Sequence, residues 1–374
     1  MIARSERAEP TIERAPREEH VGAAHLVQGP RAGRFVVSIL LGLVVLLGGA
    51  TSLNAVVDPY GLLGTHVFPT AVEEDRRAKL DLIDRLSSPP ELVVLGNSRA
   101  RQADPAFLEE LTGLRHGFNA AVTDGRAADT WAFLRYLDHR PLPGRAYVWF
   151  VDQWLGDDTV NPVTRADART SPFVGGRAAP ARTAGTLREY ASIDAVEASA
   201  RVIRACVEHG GCPSGTHFEA NGSFVRRYRV AATPAFLRRS IANQLPGASK
   251  RPRSPTFASY WRSLGRFRQI LGWMNDHGST PVLVVDPIHP TLLAAYERWG
   301  FPRRQRGLRA LALLHRRYRF VVVDTTELSS FGGSPDGFTD ARHLDERNMQ
   351  KVLRHVVASS GDVLRRRPVA GSAT

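Results

Sequence analysis

Five short apolar runs, at Leu92–Leu95, 118–122, 147–151, Val282–Val285 and 320–323, punctuate the chain, and helix-like stretches at 105–111, 127–137, 260–276 and 302–318 separate or flank them. Leu92-Val93-Val94-Leu95 has no polar position, so both faces of that strand must be covered. A strand covered on both faces suits the interior of a parallel sheet, whose neighbouring strands need crossover helices. The alternation therefore predicts an α/β fold: a doubly wound, flavodoxin-like parallel sheet of about five strands with helices on both faces. In such a sheet ligands gather at the carboxyl ends of the strands. Between 154 and 256 the pattern lapses into a region rich in Arg, Ala, Gly and Pro, with helical promise at 187–203 and few strand signals. A structureless stretch of that length does not suit a compact domain, so it is read as a partly helical insertion or lid.

The most apolar segment lies upstream, running without charge from Phe35, just after Arg31 and Arg34, to Val57, just before Asp58. About 20 apolar residues cross a bilayer, so 34–57 is expected to be a transmembrane anchor. Its flanking charges place the amino terminus in the cytoplasm and export 58–364, as in a single-pass protein of the cell (inner) membrane. Cleavage of a signal peptide near Leu53-Asn54-Ala55 is the alternative. The polar stretch before the run is longer than a usual n-region, which favours an uncleaved anchor. A buried core helix is the plainer reading, against which no other segment is nearly as apolar. Residues 1–33 mix Arg, Glu, Pro and Ala without an apolar period and read as a disordered cytoplasmic tail; 365–374 reads as a flexible tail.

The formal charge of +13 is almost wholly arginine, since the lysines are Lys79, Lys250 and Lys351. The arginines are spread out rather than gathered in one stripe with aromatics, so no nucleic-acid partner is expected. Anionic lipid headgroups or an acidic glycan fit better. Cys206 and Cys212 are the cysteines. They can close a small disulfide loop in an oxidising compartment or remain two free thiols; as zinc ligands they have only His209 and His217 nearby. There is no Gly-x-x-x-x-Gly-Lys loop, no His-Glu-x-x-His and no Cys-x-x-Cys, so no cofactor and no metal are expected.

Two segments carry candidate chemistry. Gly96-Asn97-Ser98-Arg99 directly follows the run ending at Leu95. A serine where a strand turns into a helix projects its hydroxyl at the sheet's carboxyl edge, beside backbone N–H groups that can meet an oxyanion. Taken alone, Asn and Ser there are also ordinary turn and capping residues. The other segment is Phe338-Thr339-Asp340-Ala341-Arg342-His343-Leu344. A carboxylate three positions before a histidine can hold its Nδ1–H and leave Nε2 to take a serine proton. Asp340 as a helix cap beside an incidental histidine is the plainer alternative. Both segments follow strands of one parallel sheet, which puts them at the same edge.

With these pieces in order, the chain from Asn54 onward resembles the SGNH (GDSL-like) hydrolase superfamily, in its exported, membrane-anchored branch related to alginate and peptidoglycan O-acetylation proteins. The likeness is carried by Asn-Ala-Val-Val-Asp-Pro-Tyr-Gly after the anchor, Leu-Gly-Asn-Ser-Arg-Ala at the serine, and Phe-Asn-Ala-Ala-Val-Thr-Asp-Gly beyond it. Tyr190 with Ser199, the Asn221-Gly222 turn, Val-Asp-Pro-Ile-His-Pro and Asp-Ala-Arg-His continue it. The resemblance implies Ser98 as nucleophile, His343 as general base and acid, and Asp340 as the group that orients it. It also implies an oxyanion hole from the N–H groups of Ser98 and Gly125. Two departures stand out. Asn97 takes a place where the name-giving motif often has Asp, and the segment after Phe150 reads Val-Asp-Gln-Trp, without the asparagine that many members use as a third oxyanion donor. Gln153 or Asn119 is the candidate replacement, Asn119 being equally suited to bracing loops, while Asp152 opposes negative charge. Arg99, Arg101 and His289 are weaker substrate-binding candidates, each with a structural alternative as a solvated helix residue or a loop histidine bonded to backbone. Trp131, Trp149 and Trp154 are either sugar platforms or core.

The expected function is transfer of an acyl group, most simply acetyl, to or from an envelope or exported polysaccharide or cell-wall glycan. A sugar hydroxyl as acceptor makes an O-acyltransferase; water makes a carbohydrate esterase. The rival is an inactive glycan-binding or assembly protein partnering a multipass membrane acyltransferase. A lipid esterase is the third reading.

Overall fold

The computed structural model describes residues 30–60, 63, 65, 67–69, 75–153, 155, 158–175, 190–208, 211–212, 217–225, 233–249, 256–298 and 300–365. The expected tail up to residue 29, the end of the chain from 366, Trp154 and His209 lie outside them. The chain divides into two units, 1–49 and 50–374.

In the first unit the described part is helix, from an element spanning Pro30–Val57. Its stretch Gly33–Val57, with a mean hydropathy of 2.4, is long and apolar enough to cross a membrane. Side chains 33–49 are all exposed, so it is not a core helix. The helix begins ahead of the expected span because Pro30 stands at its first position, where proline's missing N–H costs nothing.

In the second unit a parallel sheet is built from β1 (Leu92–Leu95), β2 (Phe118–Asn119), β3 (Ala146–Val151), β6 (Val282–Val285) and β7 (Val321–Asp324). Its spatial order is β2-β1-β3-β6-β7, all neighbours parallel. The sheet thus starts one strand in from an edge, steps out to that edge, then crosses back past β1 and builds toward the other edge, the flavodoxin-like order expected. Successive strand residues face opposite layers. Val93, Leu95, Tyr147, Trp149, Leu283 and Val285 pack with helices Ala127–His139, Gly265–Asp276 and Pro302–Leu314. Leu92, Val94, Val148, Phe150, Val282 and Val284 pack with helices Pro105–Thr112, Pro290–Arg298 and Glu346–Ser359.

β2 is shorter than its apolar run. Ala120 and Val122 still donate to the carbonyls of Val94 (2.8 Å) and Gly96 (3.2 Å), but the Ala121 N–H turns to the Asn119 side chain instead (2.9 Å). The expected helix at 260–276 is split at Leu264 into Phe257–Ser263 and Gly265–Asp276.

The insertion holds helices Pro162–Ala166, Ile193–Glu208 and Pro234–Ser249, and a small antiparallel hairpin of β4 (His217–Phe218) and β5 (Phe224–Val225) that the weak strand signals did not predict. The hairpin turns at Gly222 with φ 77°, the left-handed region open to glycine. A Cβ there would meet the Asn119 carbonyl at 2.3 Å. Asn221 accepts from the Asn119 N–H (2.8 Å), and Gly222 accepts from the buried Lys79 ammonium, so the hairpin seals the β2 edge. Cys206 and Cys212 are joined by a disulfide, which excludes them as free thiols or zinc ligands. Where the apolar helix ends, Asn54 is fully buried, donating to the Tyr190 carbonyl (2.7 Å) and accepting from the Ser199 hydroxyl (2.8 Å), while the Tyr190 hydroxyl donates to Asp58.

Candidate active site

The chain leaves β1 through Gly96, at φ 140°, where a Cβ would fall 2.7 Å from the Phe150 carbonyl. Only glycine lets the turn pass so close to β3. Asn97 then folds the turn with both its oxygens: its carbonyl accepts from Ala100 N–H (3.0 Å) and its Oδ1 from Arg99 N–H (2.9 Å). The chain continues as a 3-10 turn, Ala100–Gln102, rather than the α-helix expected. Ser98 sits at the apex, with its hydroxyl toward the sheet's carboxyl edge.

The second segment is a loop tied at its base. Phe338 and Leu344 form an isolated antiparallel bridge, and Thr339 N–H donates to the His343 carbonyl (2.8 Å). Asp345, not Asp340, caps the following helix, accepting from Asn348 N–H at 2.8 Å. Asp340 instead caps the loop itself: Oδ1 accepts from the N–H groups of Arg342 (2.7 Å) and His343 (2.9 Å). Oδ2 lies 2.7 Å from His343 Nδ1, and His343 Nε2 lies 2.8 Å from Ser98 Oγ. Burial raises the Asp340 pKa, but the hydrogen bond and charge of His343 and the two N–H donors outweigh it and hold the carboxyl at about 2. The insertion braces this loop: Ser240 accepts from Ala341 N–H (3.1 Å) and Gln244 from Arg342 (2.7 Å).

Ser98 and His343 open into a cleft of about 240 Å³, lined also by Gly125, Arg126, Trp149, Asp152 and Phe267. A larger apolar hollow, about 470 Å³, is lined by Leu308, Leu311, Ala312, His315, Arg316 and Val322 and offers no nucleophile with a base. Trp149 stacks on Phe267 at 4.4 Å in the cleft wall. Trp131 is core, its indole N–H donating to the Phe173 carbonyl (2.9 Å).

The expected oxyanion donors divide. The Ser98 N–H has no acceptor among the described residues. Gly125 borders the cleft, but its N–H donates to the Val122 carbonyl at 3.0 Å and so is engaged in its own turn. Asn119 is fully buried away from the cleft. Its amide donates to the carbonyls of Ala100 (2.9 Å) and Ala103 (2.7 Å), bracing the turn after Ser98 rather than serving an oxyanion. Gln153 donates to the Asp286 carbonyl at 2.6 Å and does not line the cleft. Both amides are spent on backbone oxygens inside the fold.

The weaker candidates divide. Arg99 lines the cleft, but its guanidinium pairs with Asp286 (2.8 Å) and Asp152 (3.3 Å). Arg101 is buried, bonded to Asp75 (3.1 Å) and Thr123 (2.6 Å), with its guanidinium 4.4 Å over the Phe224 ring, so it cannot meet substrate. His289 is also buried outside the cleft, accepting from Thr291 N–H (3.2 Å) beside Phe338.

Asp286 is a site residue that sequence reasoning missed. It is fully buried at the end of β6, and its Oδ2 accepts from Arg99 and, at 3.0 Å, from Asn97, the two residues flanking Ser98. Burial pushes its carboxyl up to about 6, against the pull of Arg99 and Asn97. The signal was an acid at the carboxyl end of a fully apolar strand, in the same Val-Asp-Pro-Ile-His-Pro stretch that contains His289. In comparisons with known proteins, no family model, no curated protein and no solved structure matches the chain.

Proposed function

We propose that this chain is an SGNH-type serine enzyme that transfers or removes an acyl group, most simply acetyl, on an envelope or exported glycan. The observation that carries the reading is the relay Asp340–His343–Ser98, with separations of 2.7 and 2.8 Å, opening on a cleft at the sheet's carboxyl edge. His343 Nε2 takes the hydroxyl proton as Ser98 Oγ bonds to the carbonyl carbon of an ester. The resulting oxyanion is met by the Ser98 N–H, and the tetrahedral adduct expels the alcohol, which receives the proton from His343. The acyl-serine then passes its acyl group to a sugar hydroxyl or to water by the same steps reversed. The cleft is small, which suits a short acyl chain.

An extracytoplasmic setting is part of the proposal. It is supported by the apolar helix with Arg31 and Arg34 before it and Asp58 after it, and by the disulfide, a bond that persists in oxidising compartments. The end of that helix is built into the folded unit through Asn54, which supports an uncleaved anchor.

A second reading, a glycan-binding or assembly protein partnering a multipass acyltransferase, is favoured by the committed donors of Gly125, Asn119 and Gln153 and by the Asp152 carboxylate at the cleft. A fluorophosphonate probe on the full chain in detergent separates the two. Labelling at Ser98 that Ser98→Ala abolishes is expected; glycan binding with no labelling and no acetyl-ester turnover favours the second reading.

A further inference from the structure

Outside the apolar helix and its exit, large apolar side chains are rarely exposed. Among the described residues those beyond Val56 are Leu63, Val67, Ile193, Val196, Val207 and Phe236. All but Phe236 fall on two segments at the exit of the apolar helix. Leu63 belongs to the turn that follows it, where Asp58 accepts from the N–H groups of Leu63 (3.2 Å) and Thr65 (3.1 Å). Ile193, Val196 and Val207 belong to helix Ile193–Glu208, which is bonded through Ser199 to Asn54 and preceded by Tyr190, bonded to Asn54 and Asp58.

That helix has two apolar faces. Ala195, Ala198, Ser199 and Val202 are buried and face the folded unit. Ile193, Val196, Ala200, Ile203 and Val207 follow the spacing i, i+3, i+7, i+10, i+14 and form a stripe on the outer side, exposed except for the half-buried Ile203. Exposed beside it are Arg201 and Arg204 together with Asp194, Glu197 and Glu208, Arg204 lying 3.9 Å from Glu208. An outward apolar stripe with a charged flank is the pattern of a helix lying in a membrane interface, apolar side down and charged side chains toward water and headgroups. A purely water-facing helix would carry polar residues there.

We propose that the outer face of helix Ile193–Glu208 lies in the headgroup–acyl boundary of the bilayer that the apolar helix enters, holding the catalytic unit against the membrane surface. The proposal rests on reading the apolar helix as a membrane span. Its occupant is lipid rather than protein because the helix that bears the stripe is fixed, through the buried Ser199–Asn54 bond on its inner face, beside the last turn of that span.

The native cysteines are bonded to each other, so one introduced cysteine is the only free thiol. The full chain bearing a fluorophore at Val196→Cys, Leu46→Cys or Arg347→Cys is reconstituted into phosphatidylcholine–phosphatidylglycerol vesicles. Nitroxide-bearing lipid and aqueous iodide then compete as quenchers. Arg347, 86% exposed on the carboxyl-terminal helix, is the aqueous reference. Lipid nitroxide is expected to quench position 196 several-fold more than position 347, and iodide several-fold less. A label at 196 open to iodide as at 347 would overturn the proposal, as would one shielded from both quenchers, which points to a second protein chain on the stripe. If position 46 is also unquenched by lipid, the membrane span itself fails; if 46 is quenched and 196 is not, only the interfacial helix fails.

Discussion

The geometry of the Asp340 loop makes Asp340→Asn a sharper test than removal of the side chain. Oδ1 is held as an acceptor by the N–H groups of Arg342 (2.7 Å) and His343 (2.9 Å). An asparagine must keep its oxygen there, because turning the amide would set N–H against two N–H donors. Its NH2 group therefore faces His343 Nδ1, which now has to accept. The imidazole proton moves to Nε2, and that nitrogen can no longer take the Ser98 proton across the 2.8 Å contact. Forcing the wrong tautomer in a serine triad costs on the order of ten-thousand-fold in turnover. The fold should be little affected. A carboxyl held at about 2 corresponds to roughly 2–3 kcal/mol if fully shielded, but the side chain is 34% exposed, and screening lowers this to about 1 kcal/mol. Because this pKa is depressed, the contribution is present above about pH 4 and lost as the pH falls through 2. The assay is the second-order rate of fluorophosphonate labelling of full chain in detergent at pH 7, with thermal unfolding as the control for folding. Labelling at the unaltered rate in a folded Asp340→Asn chain would refute the claim that His343, oriented by Asp340, activates Ser98.

Asp286→Ala strips Arg99, a 13% exposed side chain, of its 2.8 Å partner, and breaking a buried pair from one side should cost about 3 kcal/mol, read as a lower urea midpoint. An unchanged midpoint would show the pair to be dispensable. Because burial pushes Asp286 up to about 6, the folded chain keeps a proton that the unfolded chain releases; the stabilisation is complete below about pH 4 and lost as the pH rises through 6. Asp286→Asn should flatten that decline in urea midpoints measured between those limits, and an identical profile would remove Asp286 as its source. Gly125→Ala places a Cβ 2.3 Å from the Gly96 carbonyl, forcing the cleft loop away from the serine turn. A displacement near 1 Å there should slow labelling of Ser98 on the order of a hundredfold, and wild-type labelling would mean that the loop does not shape the site.

Much was legible in the residues because it depended on local pattern. Fully apolar strand runs between helical stretches imply a parallel sheet covered on both faces, whatever the packing details. The uncharged run before Asp58 announced a helix able to span a membrane, since length and hydrophobicity alone set that property. Placing Ser98 and the Asp340–His343 pair after parallel strands also required only the rule that such strands share one carboxyl edge.

What stayed hidden depended on partners distant in the chain. Whether an amide can serve an oxyanion is decided by which carbonyls surround it, and Asn119 and Gln153 find theirs on Ala100, Ala103 and Asp286. Arg101 looks solvated until Asp75 and Phe224 fold over it, and Asp286 is an ordinary loop acid until Arg99 and Asn97 converge on it. Local pattern determined where the chemistry would gather; tertiary structure decided which groups remain uncommitted there, because a buried polar atom bonds to whatever the fold brings within reach.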